Sequence, residues 1–162
     1  MEDSHLGLTD ISKTWSAAEL RPYEILIPLQ ASPMIMSGHL FLRQFDDVHP
    51  STLSKGILTG LLRQRLGFQG VIVSDDMQMR AIAEHYGLAE AILMAVEAGV
   101  DILVFGNNLD YDPEIVPKAI DILVKAVEEG RLSAERIAAS FRRIQAAKQQ
   151  LYTQFACGPQ AW

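Results

Sequence analysis

Three short apolar runs begin at Met34, Gly70 and Val100, and each is followed by a stretch of helical periodicity. This alternation constrains the fold more than any other feature of the chain. Strands separated by helix-bearing crossovers pair in parallel, so the pattern predicts an α/β fold built from βαβ units. The predicted strands are Met34 to Leu42 with its exit, Gly70 to Ser74 and Val100 to Phe105. Pro50-Ser51-Thr52 is expected to open a helix carrying Leu53, Ile57, Leu61 and Leu62, with Gly67 as its stop. Met79 to Tyr86 and Leu88 to Glu97 read as helical, with Gly87 as a break and Gly99 as the end. Asp112-Pro113 starts the next helix, which runs to Gly130, and Ser133 caps a last one with Ile137, Phe141, Ile144 and Leu151 on one face. Upstream, Ser16 and Glu19 have capping-box spacing, Pro22 restarts or kinks that stretch, and Pro28 and Pro33 end it. One domain is expected over 1–151, with a loose tail over 152–162. Three strands are too few for a closed (β/α)8 barrel, which takes roughly 250 residues. The choice is therefore a small open sheet or part of a barrel.

At 162 residues and 49% apolar, the chain is long and hydrophobic enough for a substantial core. A formal charge of −6 argues against a nucleic-acid or anionic-membrane surface. No apolar run approaches the roughly 18 residues of a membrane span, and the acidic start Met1-Glu2-Asp3 shows no signal peptide. The single cysteine, Cys157, cannot form an internal disulfide, which fits a reducing, cytoplasmic setting.

Two constellations carry reactive groups. The run Gly70-Val71-Ile72-Val73-Ser74 ends in Asp75 and Asp76, at the strand edge where α/β enzymes place their chemistry. A carboxylate there can be a nucleophile, a metal ligand or a substrate hook, or simply a helix N-cap. Strand alternation forbids both acids from entering one site unless the chain turns. Asp3-Ser4-His5 is the second: in an extended segment Asp3 and His5 share a side, so the carboxylate can fix the imidazole tautomer. A frayed polar terminus explains the same residues. His39, at the exit of the first strand, either lines a sheet-edge site or is a satisfied strand-exit histidine. Asn107 and Asn108 are expected to form a turn after the third strand. The histidines lack metal-ligand spacing, and neither a P-loop nor G-x-G-x-x-G is present, so no metal and no cofactor is expected.

These pieces occur in a recognisable order: Asp3-Ser4-His5-Leu6-Gly7-Leu8, Met36-Ser37-Gly38-His39, Gly56 to Arg63, Leu66-Gly67-Phe68-Gln69-Gly70-Val71-Ile72-Val73-Ser74-Asp75-Asp76-Met77, and Ala98-Gly99-Val100-Asp101-Ile102-Leu103. Together they resemble the barrel domain of family 3 glycoside hydrolases, in particular its bacterial β-N-acetylglucosaminidase (β-N-acetylhexosaminidase) branch. The resemblance implies the C-terminal portion of a (β/α)8 TIM-type barrel: about three parallel strands, their crossover helices and a C-terminal helix, with the N-terminal strands missing. It implies Asp75 as catalytic nucleophile, His5 as general acid and base, and Asp3 as its dyad partner. Asp76 takes a supporting role and His39 a substrate contact. The implied substrate is a carbohydrate with terminal β-linked N-acetylglucosamine, in muropeptide recycling. The family's D-[ST]-H element closes a longer Lys-His-[Phe/Ile]-Pro-Gly motif, and this chain starts inside it. Weak or absent activity alone is therefore expected, with a missing N-terminal half or a homo-oligomer completing the barrel. The competing readings are a non-catalytic remnant or assembly half, and a receiver-like signalling domain with Asp75-Asp76 as an acidic pocket.

Overall fold

The computed structural model describes residues 9–108 and 111–156, so the Asp3-Ser4-His5 element lies outside the described residues. A three-stranded parallel sheet forms the centre. Its strands β2 (Met34–Met36), β4 (Val71–Asp76) and β5 (Ile102–Val104) lie in the order β2-β4-β5. β1 (Thr9–Asp10) and β3 (Leu40–Phe41) form a separate parallel pair. The helices are α1 (Arg21–Leu26), α2 (Arg80–Tyr86), α3 (Leu88–Ala98), α4 (Ile115–Glu128) and α5 (Ala134–Ala156). The last of these runs on to Ala156, five residues beyond the Leu151 boundary expected for the tail.

The crossover from β2 to β4 departs from expectation in an instructive way. Pro50-Ser51-Thr52 does not start the main helix. Ser51–Leu53 is a separate 3-10 turn, and Ser54 then returns to extended backbone at φ −91°, ψ 112°. Ser54 Oγ instead accepts the Ile57 amide at 3.1 Å, beside the start of a π-helix over Gly56–Arg65. Leu66 N–H closes its end on Leu61 C=O, a five-residue step. β4 then begins where Gly70 lies against Pro33: a Cβ at Gly70 would strike the Pro33 carbonyl and the Phe68 ring. That close approach lets Val71 N–H reach Pro33 C=O at 3.0 Å and sets the register of β2 on β4.

Val71 and Ile72 are fully buried, as a strand covered on both faces requires. Leu58, Leu62, Phe68, Ile72, Met77 and Ile82 join the small face of α3 in the main core. A second cluster, Leu93, Val96, Ala126 and Leu132, welds α3 to α4.

Helix α5 turns only part of its expected apolar face inward: Ile137 packs against the second cluster and Ile144 is half-buried, while two other members stay outside. Phe141 is 60% exposed and Leu151 43% exposed. Beside Ile137 and Ile144, Arg136, Ser140 and Arg143 turn onto Asp101 at the start of β5. The Asp101 side chain is fully buried. Its Oδ2 accepts Arg63 Nη2 at 2.6 Å and the Ile72 amide at 3.0 Å. Its Oδ1 accepts Ser140 Oγ at 2.6 Å and Arg143 Nη1 at 3.1 Å. Arg136 in turn donates to the carbonyls of Val96 and Val100, both at 2.8 Å. One carboxylate thus ties the π-helix, β4, β5 and α5 together, and its need for donors places polar residues on the inward side of α5 beside Ile137 and Ile144.

Apolar side chains also remain outside. Val116, Ile120 and Val124 form an i, i+4, i+8 stripe along α4, each at least half exposed, and Met36 on β2 is 65% exposed. Among the described residues no helix is long and apolar enough to cross a membrane.

Candidate functional site

The C-terminal end of β4 is where the sequence concentrates its acids, and the sheet is irregular there. Val73 pairs with Ile102 and Asp76 with Val104, so three steps along β4 match two along β5. This extra residue is a β-bulge, which re-aims the side chains around it. Ser74, a lone hydroxyl in an apolar run, fills the gap: its buried Oγ accepts the Val104 amide at 2.9 Å. Beyond it, Met77 N–H rejoins Val104 C=O at 2.9 Å. The bulge breaks strict strand alternation at the two acids.

Asp76 is held through one carboxylate oxygen and its carbonyl. Its Oδ1 accepts the Gln78 amide at 3.0 Å and the Gly106 amide at 2.9 Å, joining β4 to the loop after β5. Its carbonyl accepts Met79 N–H at 3.1 Å and lies 2.9 Å from His39 Nε2. Asp75 differs. Its Oδ1 accepts only the Asp76 amide, at 2.8 Å, and among the described residues its carboxylate has no further hydrogen bond. The Asp76 carboxylate thus joins two elements, and among the described residues that of Asp75 is tied only to the next residue.

His39 is 1% exposed, enclosed by protein beside the end of β4. Burial holds its pKa below the ordinary histidine value, against the upward pull of the Asp76 carbonyl and the nearby Asp75 and Asp76 carboxylates. The ring is therefore neutral near pH 7. Because a carbonyl can only accept, its one proton sits on Nε2. The sequence offered His39 either as a site-lining residue or as a satisfied strand-exit histidine; in the fold its Nε2 lies against the Asp76 carbonyl.

Asn107 takes the left-handed conformation, φ 52°, as its turn assignment predicts. Its side chain clasps the Asp112 backbone, Oδ1 accepting the amide at 2.8 Å and Nδ2 donating to the carbonyl at 3.0 Å. Asn107 N–H donates to Gln78 Oε1 at 2.7 Å, so this loop is latched to the chain just beyond Asp76. Gly106 is required at the latch, since a Cβ there would collide with Asp76 Oδ2. Gly106→Ala is expected to displace the Asp76 carboxylate and lower stability by about 1–3 kcal/mol. Urea unfolding of the variant checks this; an unchanged midpoint contradicts it.

The chain leaving residues 1–8 joins the fold close by. Thr9 pairs with Leu40 and Asp10 with Phe41, immediately after His39. Arg43 Nε donates to Asp10 Oδ2 at 2.6 Å, and Arg43 N–H donates to Ser12 Oγ at 2.8 Å. The Ser12 hydroxyl and the Arg43 guanidinium hold the Asp10 carboxyl well below the usual carboxylate range. A depressed folded pKa means the clasp is fully present above the unfolded aspartate pKa and is lost only as pH falls through the lower folded value. An NMR titration is expected to give Asp10 a midpoint below a free aspartate, rising toward it in Arg43→Ala; a normal midpoint in the unmodified chain contradicts the clasp.

Two grooves open elsewhere. One of about 700 Å³, bordered by Pro33, Phe68, Gly70 and Arg143, lies at the start of β4. The other, about 250 Å³, lies between Trp15, Tyr23, Met36 and Leu61. Neither is lined by Asp75 or Asp76. Among the described residues no three His, Cys, Asp or Glu side chains converge as a metal-binding group. Ser74 and Asp101 are the residues whose roles sequence reasoning missed. A hydroxyl inside an apolar strand was the available signal for the first. For the second it was an acid at a strand start together with Arg136 and Arg143, seven apart on one helix.

Residues 1–147 match the glycosyl hydrolase family 3 N terminal domain. A beta-hexosaminidase A from Pseudoalteromonas piscicida is 28% identical over 165 residues, covering 92% of this chain and 28% of its own length. A beta-hexosaminidase from Tolumonas auensis is 36% identical over 109 residues, covering 65% of this chain and 32% of its own. Among solved structures, a glycoside hydrolase family 3 beta-N-acetylglucosaminidase from Paenibacillus sp. str. FPU-7 superposes with a TM-score of 0.80 at 31% identity, over 99% of this chain and 30% of that one. The chain thus spans about a third or less of these relatives' length, and its parallel βα units are part of a TIM-barrel-type fold. With a match that runs from the first residue to deep within α5, the chain belongs to glycosyl hydrolase family 3.

Proposed function

We propose that this chain carries the catalytic residues of a retaining glycoside hydrolase that removes terminal β-linked N-acetylglucosamine. The observation that carries this reading is the contrast at the end of β4: among the described residues the Asp76 carboxylate accepts the Gln78 and Gly106 amides and so joins two elements, while the Asp75 carboxylate accepts only the amide of Asp76 beside it. A nucleophile needs that arrangement, with a rigid backbone and a free lone pair.

In this reading Asp75 attacks the anomeric carbon as the glycosidic C–O bond breaks, giving a glycosyl ester. His5, protonated, delivers its proton to the leaving oxygen. It then takes a proton from the water that cleaves the ester, which restores both groups with net retention of configuration. Histidine titrates near neutral pH and can serve in both directions without a large shift. Asp3 orients the ring and stabilises its charged form. His5 precedes Thr9 by four residues, so covalent chain length keeps the two Cα atoms within about 14 Å. Thr9 is itself paired beside Leu40, next to His39. The beta-hexosaminidase names of the relatives favour N-acetylhexosaminides, and cytoplasmic recycling of muropeptides is the pathway this reading implies.

Binding energy from the rest of a substrate lowers the barrier, and neither groove among the described residues is lined by Asp75. We therefore expect slow turnover from this chain on its own. The exposed β2 edge and the Val116, Ile120 and Val124 stripe are the surfaces on which further barrel strands and helices, or another copy, would pack. The test is release of the aglycone from an aryl N-acetyl-β-glucosaminide, with the product anomer followed by NMR. Slow hydrolysis with retention, absent in Asp75→Ala, supports the reading. Inversion, or hydrolysis indifferent to Asp75, overturns it. Turnover equal to that of a full-length relative overturns the expectation of an incomplete site.

A further inference from the structure

Among the described residues, two buried side-chain atoms have no hydrogen-bond partner: Thr9 Oγ1 and His39 Nδ1. Buried polar groups are almost always paired, so each such atom calls for an explanation. These two are neighbours. Thr9 on β1 is the register partner of Leu40, the residue after His39. Adjacent strands lie about 4.8 Å apart and successive Cα atoms about 3.8 Å apart. The Cα atoms of Thr9 and His39 are then within about 9 Å of each other; the chain bends at His39, outside β3, so strand alternation does not hold its ring on the face away from Thr9, and one water can bridge the span.

Their chemistry is complementary. His39 Nε2 lies 2.9 Å from the Asp76 carbonyl, which can only accept. The single proton of the neutral ring is therefore committed to Nε2, and Nδ1 is a bare lone pair. A threonine hydroxyl supplies the missing donor and can still accept. An unpaired donor and an unpaired acceptor are each costly in a dry interior, and one bridge satisfies both.

We propose that a buried water joins Thr9 Oγ1 to His39 Nδ1, completing a relay from the β1 backbone through His39 to the Asp76 carbonyl. Thr9 and His39 are then positioning residues. The relay fixes the segment that follows Asp3-Ser4-His5 against the strand that carries Asp75. Its catalytic meaning rests on the reading above, in which those two elements serve one site; the relay itself does not.

The test is 15N NMR of the imidazole of His39 in the full 162-residue chain, its variants checked for folding by circular dichroism. The expected spectrum shows protonated Nε2 and an Nδ1 resonance shifted toward that of a hydrogen-bonded acceptor, with a cross-relaxation signal from a long-lived water. Thr9→Val, nearly isosteric but without the hydroxyl, should return Nδ1 to the value of a free acceptor, and Thr9→Ser should restore the shift. An Nδ1–H tautomer, a free-acceptor Nδ1 in the unmodified chain, or an Nδ1 resonance that ignores Thr9→Val overturns the relay. If Thr9→Val fails to fold, Thr9→Ser against Thr9→Ala gives the same comparison. Labelling of Asp75 by an activated N-acetylglucosaminyl donor, run on the same variants, should slow severalfold in Thr9→Val and recover in Thr9→Ser. Labelling in no variant, with the NMR pattern intact, would count against the glycosidase reading and leave the relay standing.

Discussion

Asp101→Ala is expected to destabilise the chain by about 3–5 kcal/mol, the usual cost of removing one partner from a buried ion pair. For a domain of this size each kcal/mol is worth about 2–4 °C in melting temperature, so a fall of about 6–20 °C should be seen by calorimetry. The size of the effect follows from what is left behind. Among the described residues Asp101 is the one acid paired with Arg63, Arg136 and Arg143, whose side chains are 11%, 18% and 28% exposed. Burial already presses on the Arg63 and Arg136 charges, and the arginines repel one another; the attraction of Asp101 opposes both. Its removal also leaves the Ile72 amide and the Ser140 hydroxyl without their acceptor. Asp101→Asn keeps much of the shape and loses the charge, so it should fall between the two. A melting temperature unchanged within about 1 °C in Asp101→Ala would remove the cluster from any account of stability.

The second large effect separates two adjacent residues. Asp75→Ala should abolish glycosyl transfer to the chain while leaving the fold intact, because the bond it removes is to the neighbouring Asp76 amide. Loss of a nucleophile costs about 10⁴–10⁶ in kcat in well-studied hydrolases, so any turnover on an aryl substrate should drop below detection. Asp76→Ala should show the opposite balance. It strips the acceptor from the Gln78 and Gly106 amides and frees the loop after β5, lowering stability by about 1–3 kcal/mol. A large stability loss in Asp75→Ala, with none in Asp76→Ala, would reverse the roles assigned to the two acids.

The alternation of strands and helices was legible because each element carries local signals: β-branched runs, Gly87 and Gly99 as breaks, and Asp112 before Pro113. Gly70 to Ser74 stood out as a strand, but it continues through both acids to Asp76 because the bulge keeps them on the ladder. That bulge depends on Ser74 reaching a backbone amide on β5, a contact between residues 30 positions apart that no local pattern encodes. The outward turn of Phe141 has the same origin. Periodicity marks an apolar face on α5, and the tertiary demand of Asp101 for donors turns the helix so that only Ile137 and Ile144 of that face are partly buried. His39 was visible as a strand-exit histidine of either role. Only the fold shows that it is sealed inside and bonded to the Asp76 carbonyl. Asp3 and His5 rest on their motif, and their part in the site remains a proposal.

The central claim is that Asp75 becomes covalently bonded to the sugar. It is tested most directly by incubating the chain with an activated fluorinated N-acetylglucosaminyl donor, whose ester forms faster than it hydrolyses, and mapping the adduct by mass spectrometry. The account predicts one glycosyl increment, located on Asp75 and absent from Asp75→Ala. An adduct on Asp76 or any other residue, or hydrolysis of the donor without an adduct and with inversion, would contradict it.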